Sequence, residues 1–312
     1  MLAWRWISLC AAAANAFVVP AGPRRLTLRS PPAAAVADYS FMLPASTAVA
    51  TCCQLCGIGG AALFSPIFLL VRVRRPLSLR WRGFGSIDAQ VFPLLGPDYP
   101  LDSAAAAVAS ALLTETFGFA SGLVGYARRD LVDWAVAREI LAVAVPGALV
   151  GAVCAPSLAG DAQLLRAVYA LLMLSLATDL ARRDRAAPPP GDKLTDGAAT
   201  AGGAFLTGLL GVGVGEVVLP QLSRDRPLPR AAGTSVAVVA GTAAAAAVTQ
   251  VAELDATQVP WELVRYTIPG VILGGQIAPR LAGRLDDRQI ERAAAALFAV
   301  VGAAFALKAA TG

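Results

Sequence analysis

Histidine is absent from the chain. That removes His-ligated zinc and haem, imidazole proton relays, and an intramembrane protease built on a Ser–His pair. Charge is scarce as well. Asp, Glu, Lys and Arg make up 15% of the 312 residues, where a soluble domain carries roughly a quarter. Segments of about ten residues with strict alternation are missing, which argues against an outer-membrane barrel. No basic, aromatic-laced soluble stretch is present, so a nucleic-acid partner is not expected. The phosphate-binding pattern G-x-x-x-x-G-K-[ST] is also missing, and no cofactor is implied. Any energy coupling then comes from an ion gradient, the membrane potential or a partner. Cysteines are few: Cys10, Cys52, Cys53, Cys56 and Cys154. Cys53 and Cys56 form a C-x-x-C, but outside the soluble βαβ setting that makes it a redox motif.

What the chain has in abundance is apolar surface. Hydrophobic residues make up 57%, and mean hydropathy is +0.63. Several apolar runs approach or exceed ~18 residues, the length of a membrane span. The sequence therefore reads as an all-α polytopic membrane protein. Within these runs one stretch occurs twice. Gly57 to Pro66 is GIGGAALFSP, and Gly211 to Pro220 is GVGVGEVVLP. Each opens on Gly, repeats Gly two residues later and closes on Pro. Glycine weakens a helix interior, and proline removes a donor. In a bilayer such breaks survive only where protein or a watery cavity covers the freed backbone. Paired Gly/Pro-broken spans point to a transporter's binding site; close helix packing by small residues is the alternative.

Residues 1–37 read as a presequence. Arg5 and the short apolar core from Trp6 to Ala14 resemble a secretory signal, with Ala14-Asn15-Ala16 as its cleavage site. Phe17 follows the cut. Arg24, Arg25, Arg29 and Ser30 then come with no acid before Asp38. A signal followed by Phe and a basic segment resembles the bipartite plastid presequence of algae with secondary plastids; an ordinary secretory signal with a leader is the alternative.

The mature chain divides into a first transmembrane repeat (38–181), a polar, proline-rich linker (182–197) and a second repeat (198–312). The first half's spans are expected near 41–71, 101–126, 135–156 and 162–181, with an Arg/Gly/Pro-rich loop at 72–100. Those of the second are expected near 198–222, 231–252, 263–281 and 290–309. The fold class is thus about eight transmembrane helices as two four-helix repeats, each opening on a Gly/Pro-broken helix. Further internal matches support the duplication. Pro146-Gly147, Gly151 and Pro156 correspond to Pro269-Gly270, Gly274 and Pro279 at one constant offset, and Ala109-Ser110 corresponds to Thr234-Ser235. If each broken segment were a hairpin, the repeats would be inverted rather than parallel.

Each helix that restarts after a break presents unpaired N–H groups and the positive end of its dipole, which suit an oxyanion. The candidate substrate-binding residues are Gly57, Gly59, Gly60, Gly211, Gly213 and Gly215 of the breaks. Hydroxyls of Ser110, Thr234 and Ser235 and the amide of Gln276 are added. Glu115 and Glu216 lie deep in expected spans, where a carboxylate is costly, so both are candidate proton carriers. Gly125 and Gly302, outside the paired stretches, are the expected tolerant controls.

The two Gly-rich stretches, AAGTSV at 231–236 and IPGVILGGQIAPRLAGRL at 268–285 together resemble the sulfite exporter TauE/SafE family, in an order that covers residue 41 to the C-terminus. The resemblance implies a non-enzymatic secondary transporter for small anions, with sulfite or organic sulfonates as the substrate class. Its partners would be that anion and the lipid bilayer, and a homo-oligomer is a further candidate assembly. A plastid membrane is the expected location, with plasma membrane or endomembrane as alternatives. Two other classes compete: a membrane thiol–disulfide conduit using Cys52, Cys53, Cys56 and Cys154, and a non-catalytic assembly factor.

Overall fold

Long runs of Ala, Leu and Val with few internal polar groups satisfy their own backbone by coiling, and the regular structure among the described residues is α-helical. The structure, a computed structural model, describes residues 39–61, 63–64, 68, 104–159, 162–182, 193–253, 260–284 and 287–311. The presequence at 1–37, Pro66, the loop at 72–100 and most of the linker lie outside the described residues. The helices are α1 (Met42–Leu55), α2 (Ala104–Ala127), α3 (Trp134–Ala159), α4 (Ala162–Arg182), α5 (Lys193–Leu210), α6 (Val214–Leu222), α7 (Leu228–Glu253), α8 (Trp261–Leu281) and α9 (Asp287–Thr311). Within the expected linker at 182–197, α5 begins at Lys193.

Among the described residues three helical segments are long and apolar enough to cross a membrane: Ala106–Ala127, Trp134–Ala155 and Leu228–Ala252. Met42–Leu55 and Ala167–Thr178 are shorter apolar helices. This falls short of eight uninterrupted spans for physical reasons. Both Gly-rich stretches cut their helices, leaving α1 at 14 residues and α6 at 9. Charged residues at its ends and two internal prolines, Pro269 and Pro279, interrupt the apolar character of α8.

The helices α2 and α7 form the middle of the bundle and pack against each other. On one side α8 packs against α1 and α2; on the other α3 packs against α5 and α7. The helices α4 and α9 pack against each other, with smaller contacts of α4 with α3 and of α9 with α1. Small residues set these distances. A β-carbon on Gly274 would lie 2.6 Å from the Thr47 carbonyl oxygen, so α8 rides directly on the backbone of α1. The contact of α3 with α5 is as close: Gly151 abuts the Phe205 carbonyl, and Gly208 abuts that of Ala148. The outer face of α3 leaves Val143, Leu149, Val150 and Val153 exposed, as a lipid-facing surface would.

Candidate functional site

The first break is built by the C-terminus of α1. Gly57 is left-handed, with φ of 62°. Its N–H bonds the Gln54 carbonyl at 3.3 Å, and the Ile58 N–H bonds that of Cys53 at 3.0 Å. These two bonds form the Schellman arrangement, in which a left-handed glycine ends a helix and satisfies its last carbonyls. The Tyr126 hydroxyl donates to the Gln54 carbonyl at 2.9 Å as well. Two residues on, the chain coils again: the N–H groups of Leu63 and Phe64 bond the Gly60 carbonyl at 3.0 and 3.1 Å.

The second break follows α5. Gly211 has φ of 83° and Gly213 of 143°, regions that side-chain-bearing residues avoid. The Tyr169 hydroxyl donates to the Leu210 carbonyl just before the break. The restart at α6 is capped from within. Gly213 N–H donates to Glu216 Oε2 at 3.1 Å, and Val214 N–H donates to Thr207 Oγ1 at 2.8 Å. A carboxylate three residues into a helix satisfies an orphan amide and complements the dipole.

The two breaks touch. A β-carbon on Gly215 would sit 2.9 Å from the Gly59 nitrogen and 3.1 Å from the Gly57 oxygen. Gly57 in turn faces Ala232 of α7, whose Cα would lie 2.9 Å from an added β-carbon. The Ser235 hydroxyl on α7 donates to the Gly57 carbonyl at 2.6 Å. All of this is interior: Ile58, Val212, Val214, Ser110, Thr234 and Ser235 are fully or nearly fully buried.

The candidate residues separate into those at the crossing and those away from it. Gly57, Gly59, Gly60, Gly211, Gly213 and Gly215 form the breaks, and Ser235 ties them to α7. Ser110 on α2 is buried with its hydroxyl lacking a partner. Thr234 turns elsewhere: its hydroxyl donates to the Arg230 carbonyl at 2.8 Å and accepts from Asp133 N–H at 3.0 Å. Gln276 binds Ser121 of α2, through the carbonyl at 2.7 Å and the hydroxyl at 2.9 Å, as an interhelical tie. Glu115 and Glu216 come together at the first break. A β-carbon on Gly59 would lie 3.1 Å from Glu115 Oε1 and 3.6 Å from Glu216 Oε1. The hydroxyl of Thr114, next to Glu115 in the chain, pairs with that of Thr267 of α8 at 3.1 Å.

The expected controls are corrected. A β-carbon at Gly125 would come within 2.7 Å of Pro279 Cγ, and one at Gly302 within 2.9 Å of Leu174 Cγ. Both are packing glycines. Gly202 has no atom within 4 Å of an added β-carbon and is the neutral control. Gln54 and Thr207 also stand at the breaks, beyond the residues named from the sequence. Gln54 is fully buried and donates to the Gly118 carbonyl at 3.0 Å. Each is a polar residue in an apolar run within seven residues of a break-forming glycine, which is the signal that marks it.

A family model described as sulfite exporter TauE/SafE matches residues 42–305. No curated protein and no solved structure matches the chain significantly. A family of membrane transporters accounts for the apolar helices, places the chain in the bilayer with a small anion as cargo, and is not a family of enzymes. The match takes in both breaks and every helix that packs on them, and the chain belongs to the sulfite exporter TauE/SafE family.

Proposed function

We propose that the chain is a secondary carrier for small anions, with sulfite or organic sulfonates as its substrate class, and that the anion binds where the two broken helices cross. The observation that carries this reading is the contact of Gly215 with the backbone of Gly57 and Gly59. A crossing of two interrupted helices gathers backbone dipoles in the interior, where a desolvated oxyanion needs them. Ser110 supplies a buried hydroxyl without a protein partner. The break glycines, Ser110 and Ser235 are the primary site. Thr234 and Gln276 hold the helices around it through the bonds already described.

We also infer that the chain is two four-helix repeats, 38–181 and 198–312, totalling eight spans when each broken helix counts with its restart. The packing supports this reading, because it maps onto itself when the halves are exchanged. Contact of α1 with α8 corresponds to that of α5 with α3, and contact of α2 with α8 to that of α7 with α3. Gly270 and Gly274 face α1, while their counterparts Gly147 and Gly151 face α5.

Reconstituted uptake of labelled sulfite, sulfate, an organic sulfonate and a carboxylate control tests the substrate class. Uptake of sulfite or the sulfonate above the carboxylate is expected. An equal response to all four would remove the sulfur assignment. A protein with Cys52, Cys53, Cys56 and Cys154 replaced by Ala or Ser is expected to keep the flux, since no disulfide joins these four residues and cysteine in an apolar run usually acts as a small hydrophobe. Loss of flux in a folded cysteine-free protein would favour the thiol–disulfide conduit.

For residues 1–37 we propose bipartite plastid targeting. Fused to a fluorescent protein in an alga with a secondary plastid, they are expected to deliver it to the plastid, and Phe17→Ala to divert it into the secretory route. Unchanged import of the Phe17→Ala fusion would defeat this proposal.

A further inference from the structure

Helices α5 and α6 run antiparallel. A β-carbon on Gly203 would lie 2.8 Å from the Gly213 carbonyl oxygen and 3.0 Å from Val217 Cγ2. Further along, Gln221 donates to the Asp196 carbonyl at 3.1 Å. Arg224, just past α6, pairs with the Asp196 carboxylate in the first turn of α5 at 2.7 Å. The chain therefore enters along α5, turns at 211–213 and returns along α6 to the end it came from. The first break turns back in the same way. Its tip is level with the middle of α2: Gly59 faces Glu115, and Gly60 faces Phe119. After the tip, Phe64 and Phe68 have ring centroids 5.9 Å apart and join one apolar cluster with Met42, Ala107, Ala111 and Leu263. Those four come from the first two turns of α1, α2 and α8, and Tyr39 and Phe41 pack on the same cluster. The chain after Gly60 thus heads back towards the start of α1.

The two turns come from opposite ends of the bundle. Helices α1 and α8 are parallel, since Gly270 meets Leu43 and Ser46 while Gly274 meets Thr47 and Ala50. Helices α2 and α8 are parallel too, with Gly118 against Val271 and Gly125 against Pro279. So α1 begins at the end of the bundle where α2 begins. Helix α7 is antiparallel to α2, because Gly233 near its start abuts Tyr126 and Leu131 where α2 stops. Helix α3 follows α7, with Asp133 at Thr234 and Leu141 at Gly241. Helix α5 follows α3: Gly147 meets Ala201 and Ala204, and Gly151 meets Phe205 and Leu209. So α5 begins at the end where α2 stops. The second half repeats the first upside down.

We propose that the two Gly-rich stretches are the tips of re-entrant hairpins, which enter the bilayer from opposite faces and meet midway, and that the halves are inverted repeats. The count of eight, in which each broken helix goes with its restart, then comprises six crossings and two re-entrant segments. Irregular backbone at membrane depth must be covered by protein or face a watery cavity. Here each tip helps to cover the other: Gly215 lies against the Gly57 carbonyl and the Gly59 nitrogen, and Ser235 bonds the Gly57 carbonyl. An inverted repeat has a second conformation in which the halves exchange roles, so a site at the meeting of the tips is presented to each face in turn. That consequence rests on the reading of the crossing as the anion site. The course of the hairpins does not.

Single cysteines in the cysteine-free full chain test the arrangement: Ser40→Cys before α1, Arg128→Cys after α2, Gly197→Cys near the start of α5 and Asp225→Cys after α6. Ser40, Arg128 and Asp225 are exposed, and Gly197 has no atom within 4 Å of an added β-carbon. A membrane-impermeant maleimide is applied to vesicles of one orientation, before and after permeabilisation. Ser40→Cys is expected to label from one face, and the other three from the opposite face. Eight straight spans would instead put Ser40 on the face of Arg128, and Gly197 and Asp225 on opposite faces. Either of those results overturns the proposal. If the cysteine-free chain fails to insert, epitope tags at 40, 128 and 225 in the parent sequence read the faces by protease protection, and a tag at 40 on the face of that at 128 overturns it as well. The mapping needs no substrate, so its failure leaves the substrate class standing, and a failed uptake assay leaves the hairpins standing.

Discussion

Gly213→Val is expected to abolish transport and to lower the stability of the purified protein. Gly213 has φ of 143°, and an added β-carbon would lie 2.5 Å from the Gly203 carbonyl oxygen and 3.0 Å from Leu206 Cβ. The backbone conformation alone costs about 1–3 kcal/mol for a residue with a side chain. The contact with Gly203 adds to that, because a carbonyl inside α5 cannot move aside without disturbing its helix. The chain is then driven out of the conformation in which Gly213 N–H meets Glu216 and Val214 N–H meets Thr207. Thermal unfolding and anion flux check the two halves of the expectation. Parent-like values of both would mean that the second break is not held as described.

Gly59→Val is expected to abolish transport with a much smaller loss of stability. Gly59 is not among the residues with positive φ, so valine meets no comparable backbone penalty. What it meets is the pair of buried carboxylates. Its β-carbon would sit 3.1 Å from Glu115 Oε1 and 3.6 Å from Glu216 Oε1, tight but against the ends of flexible side chains, and its methyls add to that crowding. Flux should fall to background while the melting transition stays near that of the parent and of Gly202→Ala. A Gly59→Val protein that transports at the parent rate would place the anion path elsewhere. The contrast with Gly213→Val is informative because one glycine is required by backbone geometry and the other by the close approach of two carboxylates.

Much of this was legible in the chain. Gly57 and Gly211 announce helix ends because a left-handed residue is needed to close the last turn, and only glycine adopts that conformation without cost. The matched Pro-Gly pairs at 146–147 and 269–270 mark where helices approach closely, and Gly147 and Gly270 do meet neighbouring backbones. What local patterns do not carry is which polar group meets which across the fold. Ser235 reaches Gly57 over 178 positions, while the adjacent Thr234 turns to Arg230 and Asp133; both are hydroxyls on one helix, and only packing distinguishes them. Glu216 was more readable than its assignment as a proton carrier alone suggests. Its place three residues after Gly213 is the spacing of a capping carboxylate, and the structure gives it that bond. Its approach to Glu115 depends on two breaks crossing, which no local pattern encodes. The count of spans was harder to read for a related reason: hydropathy runs through a break, whereas the helix stops there.

The central claim is that two broken helices form one anion site, and binding of labelled sulfite or an organic sulfonate to purified, folded protein tests it most directly. Parent and Gly202→Ala should bind the anion alike, and Gly59→Val and Gly213→Val should each lose binding although their substitutions lie in different helical breaks. If both valine variants bind the anion with the parent's affinity, the breaks are packing features and the account is contradicted.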